Sequence, residues 1–476
     1  MRCVAGFVLL VAVAWGQNDQ RRKQNPELFH LAERAQTVSA EFASSTLLRV
    51  AGSSTMTDWV WKKDLIDEAF RFAGMARNPI RKKIMNYGMN QGNIAGMMSM
   101  AYAQKLDRLS LESQAVMQML AVDPKRAREM FFRIQLPRMA QLTCSDALLE
   151  DPSDYYEALA LVSAGAFGNT LRERDAQLDW LNASIQRITS AVEIPLMGNA
   201  LLRAGVTPEQ MAVLLTTFAG ALDRIRGDDR AFSSSLGSID TVIRKLSSNA
   251  LLVSYRAFLV SHLIAPRCAE SSMMVEEVEN LVNRFNTQYA NANNPSLAVL
   301  NRVELKPSSV GDSAKLELLF DKPEFQSIHY QFTKLFLGTG NMVLTDEQKY
   351  TPEWKERFQD YNTAIVEMKP ATGESEATFF HRKGQALAAA LTVVPSGPER
   401  DKAVMQYIAF LQNSNMQTEN FLVWFDQVVR LAESTRSLRA AEHLKFLDVL
   451  EATGHPVLAL YALRERTLGS RPQWAN

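Results

Sequence analysis

The chain has no excess of either charge: 52 Lys and Arg stand against 52 Asp and Glu in 476 residues. A basic surplus is what nucleic-acid binders set against phosphate, so DNA or RNA is not the expected main partner. Histidine and cysteine are scarce, at six and three residues. His30, His262, His329, His381, His443 and His455 are scattered singly. Neither His-Glu-x-x-His nor a Cys/His group at zinc spacing occurs, so no metal is expected. Also missing are the Gly-x-Ser-x-Gly elbow, the phosphate-binding Gly-x-x-x-x-Gly-Lys-Ser/Thr loop and Gly-x-Gly-x-x-Gly, so no cofactor is expected either. Strand-like alternation is sparse, and past residue 14 no apolar run approaches the roughly 20 residues that span a bilayer.

The N-terminus carries an address. Arg2 precedes the apolar run Val4–Ala14, and Ala14-Trp15-Gly16 supplies small residues where a signal peptidase reads. Residues 1–16 are therefore read as a signal peptide cleaved before Gln17, which predicts export to a periplasm or the cell exterior. With the signal removed, Cys144 and Cys268 remain. Both follow a Pro-Arg pair that ends a helical run. In an oxidising compartment they form a candidate disulfide, the alternative being two buried thiols packed as small hydrophobes.

What the sequence does have is helices. In Pro26–Arg77, Leu31, Ala35, Val38 and Phe42 recur at helical spacing, then Trp61, Leu65, Ala69, Phe72, Ala73 and Ala76. Between the two stripes lies Gly52-Ser53-Ser54-Thr55, a glycine to end one helix and hydroxyls to cap the next. Pro-Glu at Pro26, Pro208, Pro323, Pro352 and Pro398, and Asn-Pro or Asp-Pro at Pro79, Pro124, Pro152 and Pro295, mark further helix starts. Proline suits the first helical position, where its missing N–H has no partner to lose. The pattern predicts helices over 80–106, 111–120, 124–134, 152–167, 172–192, 208–226, 232–263 and 272–289. After residue 322 it predicts 323–337, 352–368, 375–394, 398–413, 420–436, 438–453 and 456–468.

Between Asn291 and Lys322 the organisation changes. A loop, Pro307–Ser313, is flanked by the alternating segments Val303–Lys306 and Lys315–Leu318, which read as a small hairpin or extended linker. The expected division is a helical array over 17–290, a linker over 291–322 and a second array over 323–476. The fold class is all-α, an irregular array of helical hairpins.

Asp67-Glu68-Ala69-Phe70 with Ala73 and Pro79, and Ala115–Leu120 followed by Asp123-Pro124, resemble the second helix and closing proline of a tetratricopeptide unit. In helix-hairpin style most of the chain resembles α-solenoids of the tetratricopeptide or HEAT type. The full Trp, Leu-Gly and Tyr pattern at fixed spacing is not repeated. The resemblance implies a curved surface for a protein or peptide partner and carries over no functional residues.

Two compositions invite a chemical reading. Met85, Met89, Met97, Met98 and Met100 crowd one segment in which Gly88, Gly92 and Gly96 recur every fourth residue. Thioethers can bind Cu(I), line an adaptable groove or fill a core, and the glycines allow another helix to approach closely. Core or helix packing is the preferred reading, with a groove next. Two acidic clusters, Glu276, Glu277 and Glu279, and Asp151, Asp154 and Glu157 beside Tyr155 and Tyr156, are read as solvated helix faces. The functional expectation is an exported, non-enzymatic scaffold or binding protein of the cell envelope. The alternative is an all-α enzyme acting on cell-wall or polysaccharide material through a carboxylate pair. The Glu-Ser start and Gly-Leu-Met-Gln-like segment of superhelical lytic transglycosylases are absent.

Overall fold

The computed structural model describes residue 21 and residues 23–85, 94–225, 231–264, 267–269, 272–301, 309–312, 351–436 and 440–469. The fold is all-α, with short strand pairs as its only sheet among the described residues. The chain opens with α1 (Pro26–Ala35), α2 (Ala40–Ala51) and α3 (Trp59–Ala73). Strand β1 (Lys82–Ile84) leads to α4 (Ile94–Tyr102), α5 (Arg108–Leu120) and α6 (Pro124–Phe131), then β2 (Leu148–Glu150). Next come α7 (Ser153–Gly165), α8 (Leu171–Gln186), α9 (Glu193–Arg203), α10 (Pro208–Arg224), α11 (Ala231–Leu246) and α12 (Asn249–Ile264). They are followed by β3 (Arg267–Ala269), α13 (Ser272–Gln288) and β4 (Ser309–Asp312). The C-terminal helices are α14 (Pro352–Glu367), α15 (Glu376–Val393), α16 (Pro398–Gln412), the single turn α17 (Met416–Glu419), α18 (Phe421–Arg436), α19 (Ala440–Ala452) and α20 (Pro456–Leu468).

The helix starts follow their local chemistry. Proline opens α1, α6, α10, α14, α16 and α20. Asp58, Asp107, Asp123, Thr170, Thr351 and Ser375 accept from backbone N–H groups of the first turn, and Thr207 with Gln210 forms a capping box. Several expected boundaries move. The first stripe is two helices, because Gln36–Ser39 breaks it, and α3 is capped by Asp58 rather than by the hydroxyls of Ser53–Thr55. The run over 232–263 divides at Ser247, whose φ of 36° is left-handed. The run over 80–106 is not one helix, since Lys82–Ile84 pairs with Leu148–Glu150. Helix α9 lies where no element was expected.

The chain forms two compact units, one of Met1–Arg77 with Leu319–Asn476 and one of Asn78–Leu318. One boundary falls inside the stretch expected as a linker, 291–322, whereas the first 77 residues pack with the C-terminal helices instead of with the expected array over 17–290. In the first unit the Phe42 ring lies 4.8 Å from Phe425 and 6.4 Å from Tyr461, and the Arg464 guanidinium sits 4.6 Å over it. Arg49 pairs with Glu465 at 3.4 Å, and Arg77 donates to the Thr418 carbonyl at 2.6 Å. These contacts between distant stretches of chain carry no local signature.

In the second unit α5 packs on α6 and α7, α9 on α7 and α11, and α10 on α8 and α12. The α9–α11 crossing is close. A Cβ at Gly198 would fall 2.0 Å from Val242 Cγ1, so glycine is required there. Strands β1 and β2 pair antiparallel, with Lys83 opposite Leu149. Strands β3 and β4 pair parallel. Residues 309–312 were expected in a loop and form β4 instead, while the expected hairpin segments 303–306 and 315–318 lie outside the described residues.

Candidate functional site

A group of linked charges in the second unit forms where β1 meets the start of α7. Asp151 N–H donates to the Arg81 carbonyl at 2.9 Å, so the strand pairing fixes Arg81 beside the helix start. The Arg81 guanidinium bridges Asp151 at 3.1 Å and Asp154 at 3.0 Å and donates to the Ser153 hydroxyl. Lys83 reaches Asp151 at 3.4 Å and Lys105 reaches Asp154 at 3.0 Å. Asp107, fully buried, accepts from the Ser110 N–H at 3.0 Å.

The environments push these carboxyls apart. Burial raises Asp107 to about 6, against the pull of Ser110 and Arg81 and with a push from Asp154. For Asp151 burial also raises the pKa, but Arg81, Lys83 and Ser153 together outweigh it and hold the group below the usual carboxylate range. Tyr102 is raised by burial and by Asp107. A carboxyl whose titration is moved up to about 6, together with one held below the usual range, is the kind of split that acid–base work uses. Here the carboxylates are buried and held by three cations, so the cluster also acts as a clamp joining β1, the α4–α5 turn and α7.

This corrects the reading of Asp151 and Asp154 as a solvated face. Glu157 is partly exposed and paired with Arg203 at 2.5 Å. Tyr155 and Tyr156 are buried, and Tyr156 donates to Glu193 at 2.8 Å. Arg81, Lys83, Lys105 and Asp107 were not singled out from the sequence. Asp107, directly before a periodic run, carries the signal of an N-cap. The others have none, because their partners come from distant elements.

The first unit holds a second buried network. His381 Nδ1 lies 3.9 Å from Asp426 and 3.3 Å from Gln427 Nε2, while Tyr407 donates to Gln427 Oε1 at 2.8 Å. Asp426 accepts from Arg430 at 2.7 Å. Burial, reinforced by Arg430, drives His381 well below the usual imidazole value, so the ring is neutral. The next residue, Arg382, makes a buried bidentate pair with Glu374 at 2.8 and 2.6 Å and donates to the Lys369 carbonyl.

The remaining candidates are placed as follows. His262 is buried against the Phe258 carbonyl, His455 stacks on Trp424 and pairs with Gln417, and His30 lines an open groove of about 350 Å³ with Pro26, Glu27, Leu463, Arg466 and Thr467. His329 is outside the described residues, and no group of three or more potential metal ligands occurs among the described ones. Met85, Gly96 and Met97 are buried, Met98 is half-buried and Met100 is exposed, whereas Met89, Gly88 and Gly92 lie outside the described residues. Glu276 and Glu279 are exposed on α13. Cys144 is disulfide-bonded, and the side chain of Cys268 lies outside the described set. No described helix is long and apolar enough to cross a membrane.

One surface stands out by composition. Trp180 on α8 is half-buried among Phe131 at 5.3 Å, Phe132 at 5.7 Å and Phe167 at 5.4 Å, and Arg128 lies 4.8 Å over Phe167. Phe132 is 55% exposed, and Leu171, at the start of the same helix as Trp180, is 79% exposed. Comparison with models of known families, with characterised proteins and with solved structures finds no match for this chain.

Proposed function

We propose that the chain is an exported, non-enzymatic helical scaffold or binding protein of the cell envelope, acting on a protein or peptide. The observation that carries this reading is the aromatic and arginine surface around Trp180, with Phe132 left in water. Aromatic side chains and arginine are the types that dominate binding energy at protein interfaces, and a large apolar side chain in water gains when a partner covers it. The N-terminal apolar run supports export, and a mature protein whose N-terminal sequencing begins at Gln17 is the expected result. Crosslinked pull-down from envelope extract is the functional test. Capture of a partner by the wild type and its loss with a folded Phe132→Ser variant is expected, while a protein that stays alone would sink the reading.

The second reading is a hydrolase of cell-wall or polysaccharide material. The split in pKa between Asp107 and Asp151 favours it, with the first as the acid in mildly acidic medium and the second as its ionised partner. It predicts clearing of purified cell wall that is lost in Asp107→Asn. A wild-type protein that clears nothing removes it.

A further inference from the structure

The turn Ala103–Asp107 closes the Arg81 cluster on one side, and polar contacts hold it there. Lys105 has a φ of 54°, a left-handed conformation that is unfavourable for a residue with a Cβ. Its Nζ lies 3.0 Å from Asp154. The N–H groups of Arg108 and Leu109 donate to the Asn78 and Pro79 carbonyls at 2.8 and 3.2 Å, tying the start of α5 to the chain that leads into Arg81. Between these ties sits Asp107, 1% exposed. One carboxyl oxygen caps Ser110, and Oδ2 has no hydrogen-bond partner among the described residues.

An ionised carboxylate with one oxygen unpaired in a dry site is costly, and a protonated one much less so. Three groups from neighbouring elements face this carboxyl: Arg81 ahead of β1, Tyr102 at the end of α4 and Asp154 on α7. Arg81 is already divided between Asp151 and Asp154, and Asp154 repels a further negative charge. Lys105 points to Asp154, and one turn along α5 Arg108 is paired with Glu112 at 3.0 Å.

We propose that Asp107 is a proton-operated latch of the second unit: protonated, it keeps the Ala103–Asp107 turn closed over the Arg81 cluster, and ionised, it lets that turn open and release Lys105 from Asp154. The ionised carboxyl gains more from water in the opened state, so opening becomes easier as the medium passes from mildly acidic to neutral. Nothing in this depends on what the protein binds, and the test reads opening rather than capture or turnover.

Hydrogen exchange on the full chain, corrected for the intrinsic pH dependence of exchange, tests it. Peptides over residues 94–120 should open roughly tenfold more readily at about pH 7.5 than at about pH 5, given the rise of the Asp107 pKa from 3.8 to about 6. Asp107→Asn keeps an acceptor for Ser110 and should abolish most of that response, whereas Glu112→Gln should retain it. No response in the wild type, an unchanged response in Asp107→Asn, or its loss in Glu112→Gln would overturn the latch. Carboxyl ¹³C titration of the wild type keeps the test independent of any variant's folding. A midpoint near 6 for Asp107 supports the proposal, and one at or below the ordinary value of 3.8 refutes it.

Discussion

Arg382 and Glu374 are both almost fully buried, so their worth depends on staying together. Two charges taken out of water lose several kcal/mol of hydration each, which good geometry restores and a missing partner does not. Arg382→Ala should therefore destabilise the protein by about 3–5 kcal/mol in urea unfolding at neutral pH. A loss below about 1 kcal/mol would mean that water reaches the pair. Gly384 works by shape instead. A Cβ there would fall 2.1 Å from Gln427 Oε1, so Gly384→Ala must displace Gln427 and break its bond to Tyr407. A cost of about 1–3 kcal/mol is expected from the same unfolding assay, as for other overpacked cores. Neither role is legible in the sequence. His381-Arg382-Lys383 reads as three polar residues in a helix, and only packing decides that two of them are buried while Lys383 is not.

Helices were far more legible than strands, and the reason is local. An apolar stripe, a proline at the first position and a cap all lie within one turn of each other, so α10, α16 and α20 begin where their Pro-Glu or Pro-Val pairs stand. Strands β1 and β4 find their partners far along the chain, Ile84 opposite Leu148 at 64 positions and Ser309 opposite Arg267 at 42, and nothing nearby announces them. Caps show the same limit on a finer scale. The hydroxyls of Ser53–Thr55 looked like the cap of α3, but it is Asp58 that accepts from Trp61 N–H at 2.9 Å, with Arg21 3.7 Å away. Asp58→Ala should cost about 1 kcal/mol in thermal unfolding, the usual worth of an N-cap, and Ser54→Ala only a few tenths. Equal losses in the two variants would contradict the assignment.

Across the whole molecule, the titrating groups give the two units opposite responses to pH. In the second unit Asp107, Glu112 and Glu193 all have pKa values raised by burial. For a raised carboxyl the folded state holds more protons than the unfolded one, so its stabilising contribution is full below the unfolded value and is lost as pH rises through the folded value. For Asp107 that window runs from 3.8 to about 6. In the first unit the buried His381 is lowered by burial and Arg430, and the partly buried His455 is lowered by burial. There the unfolded chain takes up the proton first, so stability is lost as pH falls below the ordinary imidazole value of 6.5. Carboxyls held below their usual values, such as Asp151, act only in more acid solution and leave this interval alone. Hydrogen exchange resolved by unit should therefore show the second unit gaining protection from neutral pH to about pH 5 while the first loses it. His381→Gln, which removes the titrating ring, should blunt the loss in the first unit, and Asp107→Asn should blunt the gain in the second. A common response of both units, or one that neither variant alters, would show that these buried groups do not set the pH dependence of the fold.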